Sequence, residues 1–579
     1  MLYDLIDIFA KEYERQGGDQ YITRDYIPVD GDYIIIGRDD NGFKVLDRVE
    51  IKQDKKTREI ERTNQYIDFI CQADYLSRYL SSNKAIKNKN IHSNNYLTFF
   101  VRKENLHNGK INNDVISEYY EIFKDPLIKY KKPKLREAYK KIEEIHGGAD
   151  IKKIEEIEEW MKNNLYSLTE EKDKSYLKVF FHYDIDLYVK ESEKYILTNL
   201  YNNADYNTII DDKIFGLPND NMGLNAKKPY LENKSRKSSV PYLISQEEVL
   251  LQKKFFDFLL NQVSMGKTNI YVNEEEISSL TNSETLDRDF SGYFIRIRKG
   301  MEVIIEDFNI IEAYSNNIRP LDLKNILEFE KTKLEYGKIS TRHRLKILIN
   351  EVFFNNFLIT NFFTEAKDIR ITDDSLKRNL LLTRTALFRW LNHGNSSGIW
   401  KLLKWSMLDL IKGSIFQSHI TKANDRFNLY FCLKNYFEKG EDMADILMET
   451  KNQLRDKINS ESTGSIESDR EYYFAVGQLA NYFISLSRAR VKTHSLARPI
   501  LNAKTNLIIK NELKKLFKKY GHAITLGRRF NNLYAMVSAY EAKGKVDEDI
   551  ILAGYLHSNL LYEKREKENS NIGKEDKGE

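Results

Sequence analysis

Beyond about residue 321, apolar residues stop alternating with polar ones and recur instead at three- and four-residue spacing. That period belongs to helices, as alternation belongs to strands. The chain therefore reads as an α+β N-terminal region followed by an all-α C-terminal helical bundle. The front holds the strand signals. YIIIG and FKVLDRVEI flank Asn41-Gly42 as a hairpin; Tyr96–Arg102, YLKVFFHYDIDLYV, and FIRIR with VIIEDF at 294–308 follow. Helical spacing lies between them, in Leu2, Leu5, Ile6, Phe9 and Tyr13, from about Arg62 to Leu80, through the Lys- and Glu-dense 115–165, and at Gln246–Val263.

This pattern divides the chain into an α+β domain at 1–320, a helical connecting region at 321–442, a C-terminal bundle at 443–563 and a disordered charged tail at 564–579. In the bundle, helices are expected at Met443–Ile458, Arg470–Ser487, Lys504–Tyr520, Arg528–Glu541 and Asp547–Glu563. Ser460–Asp469 serves as a polar linker. Gly521 and Gly544 stand where helix C-caps favour glycine.

At 579 residues, with 12% aromatics, the chain can bury several cores. Its two cysteines, Cys71 and Cys432, suit a reducing cytosol and leave no room for a four-cysteine zinc ribbon. The first residues, MLYDLIDIFAKEY, carry Asp4 and Asp7 where a signal peptide needs an apolar run. No stretch reaches the roughly 18 apolar residues of a membrane span. The expectation is a cytoplasmic protein with no membrane partner.

Catalytic patterns are thin. Glu50 and Lys52 after Asp32, Asp39 and Asp40 suggest a restriction-type nuclease, whose carboxylates hold Mg²⁺ while the lysine orients water. Asp39 and Asp40 fall at the hairpin tip, however, roughly 30 Å from Glu50 at about 3.3 Å per residue. Ser264–Thr268 matches only the end of a phosphate-binding loop, in the wrong helix–loop–strand order. His182, Asp184 and Asp186 share one face if YLKVFFHYDIDLYV is a strand, with no further histidine nearby. The reading is no enzyme, no metal and no cofactor.

Charge is more telling. The whole chain carries +4, yet Asn481–Phe530 alone carries +11. Its cations are Arg488, Arg490, Lys492, Arg498, Lys504, Lys510, Lys514, Lys515, Lys518, Lys519, Arg528 and Arg529, opposed only by Glu512. In Lys504–Tyr520, Ile509, Leu513, Leu516, Phe517 and Tyr520 make a buried stripe. Lys510, Lys514 and Lys518 run beside it, with Lys515 and Lys519 one step over. Unmixed like charge at helical spacing is mildly destabilising, so it points to a polyanion.

A second basic stretch is FGLPNDNMGLNAKKPYLENKSRKSSVPY, Phe215–Tyr242, with three of the chain's eight prolines. Pro218, Pro229 and Pro241 keep it from forming a long helix or inner strand. Lys227, Lys228, Arg236 and Lys237 suit phosphates, and Asn219, Asn221 and Asn225 suit base edges.

The segment GLPNDNMGLNAKKPYLENKSRK, together with EYYFAVGQLANYFISLSRA and RRFNNLYAMVSAYEAKGKVDEDIILAGYL, resembles the large-subunit family of type I-B CRISPR interference complexes (Cascade). The resemblance spans nearly the whole chain, though the zinc ribbon of some relatives is missing. It implies a non-catalytic subunit that helps recognise the target-flanking motif (PAM) and holds the guide RNA's (crRNA's) 5′ handle and the strands of target double-stranded DNA. Implied partners are the Cascade backbone and handle-binding subunits, a recruited helicase–nuclease, and a small helical subunit translated from within the same gene. Lys439-Gly440-Glu441-Asp442-Met443 can be encoded AAA-GGA-GAA-GAT-ATG, placing a ribosome-binding AAGGAG ahead of Met443. Met443–Glu579 is then the expected small subunit. A pure protein-interaction scaffold, its basic stripe meeting an acidic partner, is the remaining alternative.

Overall fold

The structure, a computed structural model, describes residues 2–40, 42–55, 57, 59–80, 83–169, 173–201, 203–218, 243–300, 302–332, 334–438, 443–488 and 493–563. It has an α+β front and an all-helical C-terminal region, in two compact units: Met1–Thr281 with Ser291–Glu312, and Asn282–Phe290 with Ala313–Glu579.

The first unit is built on a four-stranded sheet. Its order is Gly42–Ile51, Gly31–Asp39, Tyr176–Phe181, Thr98–Arg102. The hairpin is present, with Gly42 at φ 111°; Asn41 lies outside the described residues. Gly31–Asp39 runs parallel to Tyr176–Phe181, pairing Tyr33 with Lys178 and Ile35 with Phe180. Tyr33, Ile34, Ile35 and Ile36 are all buried, as an inner strand covered on both faces requires. Within that core, Lys178 pairs with Asp74 at 2.5 Å, and the Tyr26 hydroxyl donates to Asp74 at 2.8 Å. A buried charge is tolerated when it is paired and hydrogen-bonded in this way. A second sheet orders Val303–Tyr314, Phe290–Lys299, Asn269–Val272 and Ile277–Leu280.

The strand expected through YLKVFFHYDIDLYV ends at Phe181. From Ile185 the chain is helical to Asn199, and the Asp184 side chain caps it by accepting from the Asp186 backbone N–H. The alternation of DIDLYV is equally compatible with one turn of helix, and the cap decides it. His182, Asp184 and Asp186 therefore do not share a strand face; His182 packs against Tyr66 and Phe69. The expected helix at Arg62–Leu80 is shorter, Ile67–Ser77.

In the second unit a hairpin of Asn317–Leu323 with Gly337–Thr341 carries strand structure past residue 321. Helices follow at Arg342–Val352, Asp374–His393, Ile399–Phe416, Ile420–Glu438, Met443–Asn459, Asp469–Ser485, Asn506–Tyr520, Arg528–Ala539 and Glu548–Leu556. Arg426, 4% exposed, donates to the carbonyls of Val352, Phe353 and Leu410 and to Ser414 Oγ, tying three helices together without an acid. Asp469–Ser485 is the hub, packed against Met443–Asn459, Asn506–Tyr520, Arg528–Ala539 and Glu548–Leu556. It meets Glu548–Leu556 backbone to backbone. A Cβ on Gly477 would collide with the Ile551 carbonyl, and one on Gly554 with the Phe474 carbonyl.

Neither expected glycine cap is left-handed. Gly521 follows the helix end at φ −50° and continues into a short 3-10 turn. Gly544 lies in the loop after Arg528–Ala539, where its N–H donates to Asp469 Oδ2 at 2.8 Å. The tail 564–579 lies outside the described residues.

Candidate nucleic-acid interface

The helix Asn506–Tyr520 begins at Thr505, whose hydroxyl accepts from the Ile508 N–H. Ile509, Leu513, Leu516 and Tyr520 are buried, with Phe517 half-buried beside them. Packing this face against the hub fixes the opposite face outward, and Lys514, Lys515, Lys518 and Lys519 are exposed there. The five lysines are not equivalent. Lys510, half-buried, pairs with Glu541 at 2.6 Å, which holds that carboxyl below its usual range. Lys515 pairs with Glu512 at 2.6 Å, and the Lys519 ammonium lies 5.5 Å from the centre of the Tyr520 ring. Lys514 and Lys518 meet no acid and make no hydrogen bond among the described residues.

The other cations are also differentiated. Arg529 donates to Asn459 Oδ1 at 2.6 Å and to the Glu563 carbonyl, so it serves the fold. Arg528 is exposed, 4.0 Å from Glu461. Lys504 pairs with Glu548, and Arg498 lies over the Phe416 ring at 4.7 Å. Arg488 is exposed, while Arg490 and Lys492 lie outside the described residues. Counting charge inside a sequence window missed Glu461, Glu541 and Glu548, because all three come from other segments. Among the described residues Lys514, Lys518 and Arg488 are exposed and meet no acid, and Lys514 and Lys518 lie together as an i, i+4 pair.

Asn219, Asn221, Asn225, Lys227, Lys228, Arg236 and Lys237 all lie outside the described residues. The chain on either side of them is described. Thr208–Ile210, Lys213–Gly216 and Ile244–Ser245 form a three-stranded antiparallel sheet in which Gly216 pairs with Ile244. The Tyr201 hydroxyl bonds the carbonyls of Ile214 and Ile244, both at 2.8 Å. Gly216 has no room for a side chain, because a Cβ would meet the Tyr201 ring at 2.6 Å. The two ends of the basic stretch are thus clasped side by side.

The nuclease arrangement is spread out. Asp39 pairs with Gly42 at one end of the hairpin, whereas Glu50 pairs with Asp32 at the other. Asp32 is engaged by the buried Lys103 at 2.7 Å, and Glu50 and Lys52 are exposed. Asp40 sits beside the turn, far from both. Among the described residues, no group of three or more His, Cys, Asp or Glu side chains is placed to hold a metal ion. No helix there is long and apolar enough to cross a membrane. No protein-family model, no curated protein and no solved structure matches this chain.

Proposed function

We propose that this chain is a nucleic-acid-binding subunit of an RNA-guided complex, of the type I-B CRISPR large-subunit kind, that holds strands of opened target DNA. The observation that carries the reading is the outward face of Asn506–Tyr520, where Lys514 and Lys518 are exposed and uncommitted. One helical turn separates them, a spacing suited to tracking a phosphate backbone without reading sequence. The three sequence blocks that resemble the large-subunit family support the same assignment. The clasped ends of Phe215–Tyr242 suit a basic stretch presented from a fixed base. In this reading cleavage belongs to a recruited helicase–nuclease, and the guide RNA supplies long-range specificity.

The test is the salt dependence of target binding by the assembled complex. Lys514→Gln and Lys518→Gln should each reduce the slope of log K against log salt by about 0.7 to 0.9. Lys510→Gln should reduce it less, because that lysine must leave Glu541 to meet a phosphate. An unchanged slope in the Lys514→Gln/Lys518→Gln double variant would assign the face to an acidic protein partner.

A further inference from the structure

A cavity of about 170 Å³ opens within the first unit. One wall is a single face of the helix Gln246–Ser264, contributed by Lys253, Phe256, Asp257 and Leu260. Tyr75 and Arg78 come from the end of the helix Ile67–Ser77. Glu302 comes from the turn between the strands Phe290–Lys299 and Val303–Tyr314.

Two cations, Arg78 and Lys253, and two acids, Asp257 and Glu302, line this cavity. Asp257 Oδ2 accepts from Tyr75 at 3.0 Å and from Lys253, and its Oδ1 faces Arg78 as an ion pair. Arg78 reaches it only at 3.6 Å, too far for a hydrogen bond. The Arg78 guanidinium is instead held by the Tyr26 and Tyr75 rings, at 5.0 and 5.1 Å from their centres. That fixes its plane while leaving its N–H fork without a hydrogen-bond acceptor among the described residues. The Glu302 carboxylate likewise has no hydrogen-bond or ion-pair partner there, while its backbone carbonyl accepts from the Gly300 N–H at 2.9 Å. A donor fork and a carboxylate line one cavity yet do not bond each other.

We infer that this cavity is a receptor for an unpaired guanine base, with Arg78 donating to O6 and N7 and Glu302 accepting from N1–H and the N2 amino group. Three features select that ligand. A positioned guanidinium demands two adjacent acceptors, which guanine presents and adenine does not. A carboxylate demands donors, which guanine carries on its next edge. The walls from Tyr75, Tyr79, Phe256 and Leu260 offer ring and aliphatic surface to a flat ligand. The inference does not depend on the reading of the lysine helix. The base is supplied either by a free guanine nucleotide or by a single strand, and the same edges are recognised in both.

The test is calorimetric titration of the full chain with GMP, IMP and AMP, and with the oligonucleotides dT8 and dT8 carrying one central dG. GMP should bind at least about tenfold tighter than AMP, with IMP between them because it lacks the N2 amino group. Preference for GMP with no gain from the central dG would identify the free nucleotide as the source; preference for the dG oligonucleotide would identify a strand. Glu302→Gln, on an exposed turn, should remove the guanine preference without changing the melting temperature. Arg78→Met should remove it as well, and Lys514→Gln should leave it intact. Absence of any guanine preference, with mononucleotides and oligonucleotides alike, overturns the inference. So does a preference that survives Glu302→Gln.

Discussion

His393 and His557 are each only 5% exposed, and burial lowers both imidazoles to about 4. In an unfolded chain they titrate near 6.5. A folded pKa below the unfolded one means stability is complete above about pH 6.5 and is lost as pH falls towards 4. Each histidine accounts for at most about 3 kcal/mol of that loss. The His393→Gln/His557→Gln double variant should lose less stability than the parent between pH 6.5 and 4 in denaturant titrations; an equal loss would mean that other groups drive acid unfolding. At this scale the sequence told part of the story. It marked the lysines, because their spacing is local. It could not mark Arg78 with Glu302, which are brought to one cavity only by a fold that joins segments more than two hundred residues apart.

At the scale of elements, helix existence was legible wherever the apolar stripe was long, as in Asn506–Tyr520 and Asp469–Ser485. Ends were less so: Asp184 turns a strand pattern into a helix start through one side-chain bond. The parallel pairing of Gly31–Asp39 with Tyr176–Phe181 was not legible either, since no turn residue links partners so far apart. The close approach at Gly477 and Gly554 brings EYYFAVGQLANYF and DEDIILAGYL, far apart in sequence, into backbone contact. Gln478 reinforces the contact by donating to the Gly554 carbonyl at 2.6 Å and accepting from the Leu560 N–H at 2.8 Å. Gly477→Ala or Gly554→Ala should destabilise the protein by about 1–3 kcal/mol, the cost of overpacking. A melting temperature that stays at the parent value in both variants would show that the helices separate freely.

For the molecule as a whole, the second unit holds Ala313–Glu438 and Met443–Glu563 together. Asp549 accepts from Tyr430 at 3.0 Å and pairs with Lys434 at 2.5 Å, while Glu548 pairs with Lys412 at 2.7 Å. A product beginning at Met443 would leave both acids without these partners. Made alone, Met443–Glu579 should therefore melt below the full chain, and mass spectrometry of cells carrying the gene should find it only while codon 443 remains a start. A small product with the same N-terminus after Met443→Leu would refute that start. The glycine contact has a further consequence, in the order of synthesis. Gly477 leaves the ribosome well before Gly554, so for the intervening stretch the hub helix has no backbone to close against. The face around Phe474 and Gly477 must wait, within reach of chaperones, until residue 556 has been made. The second unit therefore closes late, and nonsense or frameshift changes after Gly477 but before Gly554 should leave an aggregating chain rather than a shortened working one.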